Sequence, residues 1–391
     1  MSDNKRFMNE VFRIVNGALR LDTEKVRSYT AFLADKLESE GDSSSARRLR
    51  RMLDNTDHML RPVDVSFAQS LPVDSDSRFA LVERVALRSD EPQLVLTSDQ
   101  WRVVHEFLSI AKSHALLDAE GIHGSINLLM YGPPGTGKSR LARFIAGELG
   151  LELYVARLDG LISSLLGSTS KNIRALFDFA ARTPCVLFLD EFDAIAKLRG
   201  DTQELGELKR VVNSFIQNLD SLGSQSIVLA ATNHQDLLDS AVWRRFGYRL
   251  ELTFPDANQR KALWVGFLGS LSFSTRDLDV LVDLSDGLTG SDIEEVCRRL
   301  KRLGVVTDSE SNLGDAFLVL LNIGIGEEGS RRFVSRLRGE NPEGLIRILR
   351  ERDERLYSLA VLAALLGVSK STVHRLVKED QPAEGVEPHG V

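Results

Sequence analysis

Cysteine is scarce in this chain: only Cys185 and Cys297 occur among 391 residues, far apart and without metal-ligand spacing. A disulfide framework and a thiolate zinc site are thereby excluded, and a reducing cytoplasm is expected. Aromatic residues make up 7%, and no apolar run approaches the length of a membrane span. The opening "MSDNKRFMNEVFRIVNGALRLD" has no apolar stretch of signal-peptide length, so a soluble protein with no membrane partner is expected. Net positive charge is also lacking. A balance of -7 argues against indiscriminate coating of nucleic acid, which needs a positive field, but leaves room for a local basic surface.

What is present reads as several domains, as the length leads one to expect. Residues 1–60 show helical periodicity in "NEVFRIVNGAL", "VRSYTAFLADKLES" and "SARRLRRMLDN", and form a candidate adaptor domain. Residues 61–97 carry Pro62, Pro72 and Pro92 and read as a linker with short strands. "SDQWRVVHEFLSIAKSHALL" is again helical, with Ser98 placed to cap it. Across 98–254, apolar runs ("INLLMYG", "LELYVARL", "CVLFLDEF", "SIVLAATN", "YRLELTF") alternate with helical stretches. That alternation predicts an α/β fold, a parallel sheet with helices on both faces. Residues 255–325 read as a helical lid, 326–380 as a further helical module, and 381–391 as a disordered tail.

The stretch "GPPGTGKS" places Gly132, Gly135, Gly137, Lys138 and Ser139 in the spacing of a phosphate-binding loop. Such a loop wraps its N–H groups around phosphate oxygens, which requires the room and the positive φ that glycine allows. Lys138 would neutralise the β- and γ-phosphates, and Ser139 would ligate Mg²⁺ at the start of a helix. "CVLFLDEF" delivers Asp190 to the metal, with Glu191 beside it to polarise water. Asn233 ends a later apolar strand, where an amide can orient the lytic water, and the pair Arg244–Arg245 follows.

This set, from Ser98 to about Leu303, resembles the AAA+ ATPases, and most closely the branch that includes katanin and spastin. The resemblance implies a Walker A motif holding ATP through Gly132, Pro133, Pro134, Gly135, Thr136, Gly137, Lys138, Ser139 and Arg140. It implies a Walker B motif at Asp190 and Glu191, a first sensor at Asn233, and arginine fingers at Arg244 and Arg245 that reach a neighbour's ATP. Such fingers imply a homo-oligomeric ring, usually a hexamer. "GLTGSDIEEVCRR" matches the family's lid helix, where Gly290 and Ser291 would lie near the nucleotide in place of a second-sensor arginine. The channel loop of threading relatives corresponds to "ISSLLGSTS", so Leu165, Leu166 and Gly167 form the candidate pore loop. Leu165 stands where the family has an aromatic, which keeps an apolar grip but offers less area and no flat face.

Near the C-terminus, "LAALLGVSKSTVHRLVKE" resembles the helix-turn-helix of bacterial regulators. Ala363 and Gly367 suit the crossing and the turn, Ser369 the cap, and Val373 and Leu376 the buried side. Lys370, Ser371, His374 and Arg375 would then face DNA. From Arg331 to Lys378 there are eleven Lys and Arg against five Asp and Glu, so the module is basic within an acidic chain. Two functions are consistent with this text. One is an ATP-driven ring that remodels or delivers a protein client, such as a protease or other effector, with DNA as a tether. The other is a DNA-centred ATPase, a regulator or loader. The absence of a G-A-F-T-G-A loop and the "WRRF" stretch favour the first.

Overall fold

A computed structural model of the chain describes residues 23–39, 42, 45–50, 71–74, 78, 80–87, 94–121, 126–156, 166–193, 205–222, 226–238, 240–323 and 333–379. The chain divides into two units, Met1–Ser70 and Leu71–Val391. In the first, the helix Thr23–Ser39 and a helical turn at 45–50 are joined by Arg50, which pairs with Asp35 at 2.7 Å and Glu38 at 2.5 Å. The periodic stretch at 9–19 lies outside the described residues.

The second unit is built on a six-stranded sheet: β1 (Val82–Val85), β2 (Asn127–Tyr131), β3 (Glu152–Ala156), β4 (Cys185–Leu189), β5 (Ile227–Thr232) and β6 (Tyr248–Glu251). Their spatial order is β1-β3-β4-β5-β2-β6, all parallel except β1. The five apolar runs of the alternating region became β2 to β6; β2, β4 and β5 are buried on both faces, whereas β6 is an edge strand with Arg249 and Glu251 exposed. Alternation decides which layer each residue joins: Leu128 and Met130 pack with the helices Ser98–Lys112 and Lys138–Leu149. Leu129 packs instead with the layer that includes Phe177 and Phe215. β1 comes from the stretch read as linker and adds an antiparallel edge. The helix Ser98–Lys112 is capped one residue earlier than expected. Thr97 accepts from the Gln100 N–H, and Gln100 returns the contact in a capping box, which places Ser98 inside the helix.

Register sets the working edge. Tyr131 lies beside Thr232, and Leu189 beside Ala230, so Gly132, Asp190 and Asn233 all emerge at the carboxyl ends of neighbouring strands.

Beyond β6, the helices Ala257–Leu268, Thr275–Leu284, Gly290–Thr307 and Leu313–Leu321 are followed by Phe333–Leu337, Pro342–Arg352, Leu359–Leu366 and Lys370–Glu379. All eight contribute to one core that runs from Trp264 and Leu281 through Phe317 to Leu349, Leu362 and Val373. At Gly314 the backbones approach so closely that a Cβ would stand 2.8 Å from the Ala364 carbonyl oxygen. A polar seam reinforces the join. Arg352 forks onto Asp283 at 2.8 and 2.9 Å, reaches Asp286 at 3.0 Å and lies 4.0 Å above the Phe333 ring. The fully buried Tyr357 donates its hydroxyl to Asp283 at 2.6 Å. The segments 255–325 and 326–380 therefore share one hydrophobic body.

Leu349→Ala should cost about 2–5 kcal/mol by opening a cavity in that shared core. Amide exchange should quicken together in Gly290–Thr307 and Leu359–Leu366, as one cooperative body demands. Burial pushes the thiols of both Cys185 and Cys297 up to about 12. At pH 8 neither should be alkylated in the native protein, and both should react once it is unfolded, as mass spectrometry would show.

Candidate nucleotide site

β2 turns at Gly132 into a loop that ends on the helix Lys138–Leu149, whose N-terminus faces a cavity of about 350 Å³. Gly132 sits at φ 138°, and a Cβ there would stand 2.0 Å from the Leu252 carbonyl oxygen. Gly135, at φ 78°, would clash with the Thr289 hydroxyl at 2.6 Å. The loop is thus wedged between the exit of β6 and the start of the lid helix Gly290–Thr307. Ser291 N–H donates to the Gly135 carbonyl at 3.1 Å, and Arg140 pairs with Glu294 at 3.0 Å while lying 5.1 Å from the Phe267 ring centroid.

Lys138 is 7% exposed, and its ammonium donates to the carbonyls of Gly132 and Pro133, each at 2.8 Å. Ser139 Oγ donates to Asp190 Oδ2 at 2.9 Å, so a hydroxyl and a carboxylate converge as hard oxygen ligands. Glu191 is held at φ 51° and stays exposed, with its N–H donating to Asp190 Oδ1 at 3.0 Å. A non-glycine residue in that region is strained, and such strain gathers at working sites. Asn233 lines the cavity from the end of β5, and its Oδ1 is buried without a protein donor. Thr232 and His234 fix its backbone: Thr232 donates to Asp193 at 3.2 Å and accepts from His234 N–H at 3.0 Å.

Oxygen ligands, a glycine-rich loop at a helix N-terminus and an orphaned amide oxygen together fit a nucleoside triphosphate with a divalent cation. Pro134, Thr136, Gly137, Gly290 and Ser291 also line the cavity. Arg244 and Arg245 do not; both are exposed, and Arg245 pairs with Asp220 at 3.4 Å. Leu165 lies outside the described residues, and Leu166 and Gly167 begin the helix Leu166–Arg182.

Several cavity residues escaped the sequence reading. Leu94, Val95 and Leu96 enter from the stretch before the helix Ser98–Lys112, and Gln259, Leu263 and Phe267 from the lid. In sequence, "LVL" is an ordinary apolar run, and a lid helix shows which residues are apolar but not which ones face a ligand.

The helices Leu359–Leu366 and Lys370–Lys378 meet at 108°, with Gly367 at φ 64° and Ser369 Oγ accepting from the Thr372 N–H at 3.1 Å. Val373 is buried and Leu376 half-buried, while Lys370, Ser371, His374 and Arg375 are exposed. No single helix among the described residues is long and apolar enough to cross a membrane.

The model of the ATPase family associated with various cellular activities (AAA) matches residues 128–254, and that of the IclR helix-turn-helix domain matches 344–379. An uncharacterized AAA family ATPase, y4kL, of Sinorhizobium fredii is 35% identical over 283 residues, covering 70% of this chain and 82% of that protein. The chain belongs to the AAA family of ATPases. An ATP-dependent zinc metalloprotease, FtsH 3, of Sphaerobacter thermophilus is 34% identical over 226 residues, 56% of this chain and 46% of that protein. A putative 26S proteasome regulatory subunit homolog of Methanothermobacter thermautotrophicus is 33% identical over 190 residues, 47% of this chain and 51% of that protein. The chain thus spans about half the length of these last two relatives.

As an AAA ATPase the chain hydrolyses ATP, and the wedge at Gly132 is open to direct test. Gly132→Ala should push the loop off Leu252 and weaken binding of a fluorescent ATP analogue by about tenfold or more, since the substitution combines a clash with a strained φ.

Proposed function

We propose that this AAA ATPase works as a homo-oligomeric ring that remodels or delivers a protein client, with its C-terminal helix-turn-helix as a DNA tether. The observation that carries the reading is the cavity in which Lys138, Ser139, Asp190, Glu191 and Asn233 converge beneath a lid bonded to the phosphate loop through Ser291 and Gly135.

In this reading the loop N–H groups from Gly132 to Ser139 bind the phosphates, and Lys138 exchanges its two carbonyl contacts for phosphate oxygens. Mg²⁺, held by Ser139 and Asp190, supplies charge neutralisation at the β- and γ-phosphates when bound. Glu191, exposed at the cavity wall, takes the proton of the attacking water, and the free Oδ1 of Asn233 holds that water in line. Leu263 and Phe267 cover the base and ribose end with apolar surface. Arg244 and Arg245 lie away from their own cavity and act on a neighbour's nucleotide, which makes oligomerisation part of the active site.

Action on protein is supported by the metalloprotease and proteasome relatives; Leu165, in place of the channel aromatic, keeps an apolar grip but a weaker one. The katanin- and spastin-like placement rests on the "WRRF" stretch and the lid helix. One observation favours the DNA-centred alternative: the second helix of the IclR-like unit leaves Lys370, Ser371, His374 and Arg375 open. A single unit would bind weakly, but several on one ring gain by avidity where geometry permits.

Glu191→Gln should retain ATP binding while slowing hydrolysis by about 10²–10⁴-fold, and Arg245→Ala should cost about 10³–10⁵ in turnover. Turnover measured with unfolded protein, with DNA and with neither separates the two readings. A protein-remodelling ring is stimulated by unfolded protein, and Leu165→Asp abolishes that response. Stimulation by DNA that survives Leu165→Asp but vanishes with Arg375→Ala would overturn it in favour of the DNA-centred ATPase.

A further inference from the structure

Asn127 opens β2, the strand whose far end becomes the phosphate loop, and it is 1% exposed. Its side-chain amide is engaged from both ends: Nδ2 donates to the Arg245 carbonyl at 2.8 Å, and Oδ1 accepts from the Gly247 N–H at 2.7 Å. At the other end of the same strand, the Tyr131 ring meets Trp243 edge-on with centroids 5.2 Å apart. The segment from Trp243 to Gly247 is therefore pinned along β2 at two points, and Arg244 and Arg245 are exposed on it, Arg245 beside Asp220 at 3.4 Å.

A buried carboxamide in an otherwise apolar strand costs desolvation unless its groups are bonded, and an apolar residue would fill the same space without that demand. What Asn127 adds is specific. It acts as a short piece of extra strand, fixing the backbone of a turn that lies between the helix Ser240–Trp243 and β6.

We propose that Asn127 is a positioning residue for the arginine pair. It fixes the backbone from which Arg244 and Arg245 reach a neighbour's nucleotide, and does so from the strand that carries the subunit's own phosphate loop. The inference rests on the reading that these arginines act in trans. β2 then serves two nucleotides, its own through Gly132 and the neighbour's through Arg245.

The test uses the full chain in Asn127→Ala and Asn127→Asp forms. Asp keeps the shape and the acceptor for Gly247 but sets a carboxylate oxygen against the Arg245 carbonyl, which repels the turn. Each variant should bind a fluorescent ATP analogue with wild-type affinity while kcat falls, by about a hundredfold for Ala and at least as much for Asp, as expected for a misplaced catalytic group. Mixing either variant with Glu191→Gln subunits decides where the damage lies. A Glu191→Gln subunit offers an intact arginine pair, and an Asn127 variant offers an intact hydrolytic site. The mixture should therefore regain turnover about tenfold or more above either protein alone. If the mixture stays inactive, or if nucleotide affinity falls as far as turnover, Asn127 supports only its own site and the proposal is overturned. Arg245→Ala mixed with Glu191→Gln is the control for the underlying reading. Restoration there alongside failure with Asn127 variants overturns this proposal alone, whereas failure in both overturns the trans-acting arginines and this inference with them.

Discussion

The phosphate loop has no room for a side chain at two of its glycines, Gly132 and Gly135. Leu252 stands against Gly132 at the exit of β6, and Thr289 stands against Gly135 at the entry to the lid helix. This double contact ties three parts of the chain that are distant in sequence: the loop, the last strand of the sheet and the lid. The carbonyl of Gly135 then accepts from Ser291, so the loop's shape and the lid's position are one constraint. The phosphate loop and the start of the lid helix are thereby in direct contact.

The C-terminal helices close the lid's core, with Leu349, Leu362 and Val373 packed into the body that contains Trp264 and Leu281. The seam of Arg352, Asp283 and Tyr357 adds directional contacts to that packing, and Gly314 lets the first helix of the helix-turn-helix approach at backbone distance. A unit joined this way forms one hydrophobic body with the lid. Its exposed residues, His374 and Arg375 among them, stand on that same body.

Much of the fold was legible in the text. The five apolar runs from "INLLMYG" to "YRLELTF" announced β2 to β6, most clearly the central β2, β4 and β5, because strands covered on both faces need short continuous apolar segments. β1 was legible only as a short strand within 61–97 and not in its place: "VERV" carries two charges and has no apolar pattern until pairing with β3 gives it one covered side. Gly132, Asp190 and Asn233 could be placed at the strand ends from the text because each sits directly after such a run. Leu94, Leu263 and Phe267 were missed because an apolar residue lining a cavity has the same signature as one in the core.

The sequence by itself determined the candidate chemistry. Glycines at fixed spacing before Lys138 and Ser139, and acids after an apolar strand, match what phosphate and metal would require, and such requirements are local. Only the tertiary structure decided the connections: that Asn127 holds the backbone of Arg245, that Thr289 closes on Gly135, and that the helix-turn-helix belongs to the lid's core. Those depend on which residues meet across long stretches of chain. No spacing records that, because packing and hydrogen bonding act on proximity in space and not on order along the backbone.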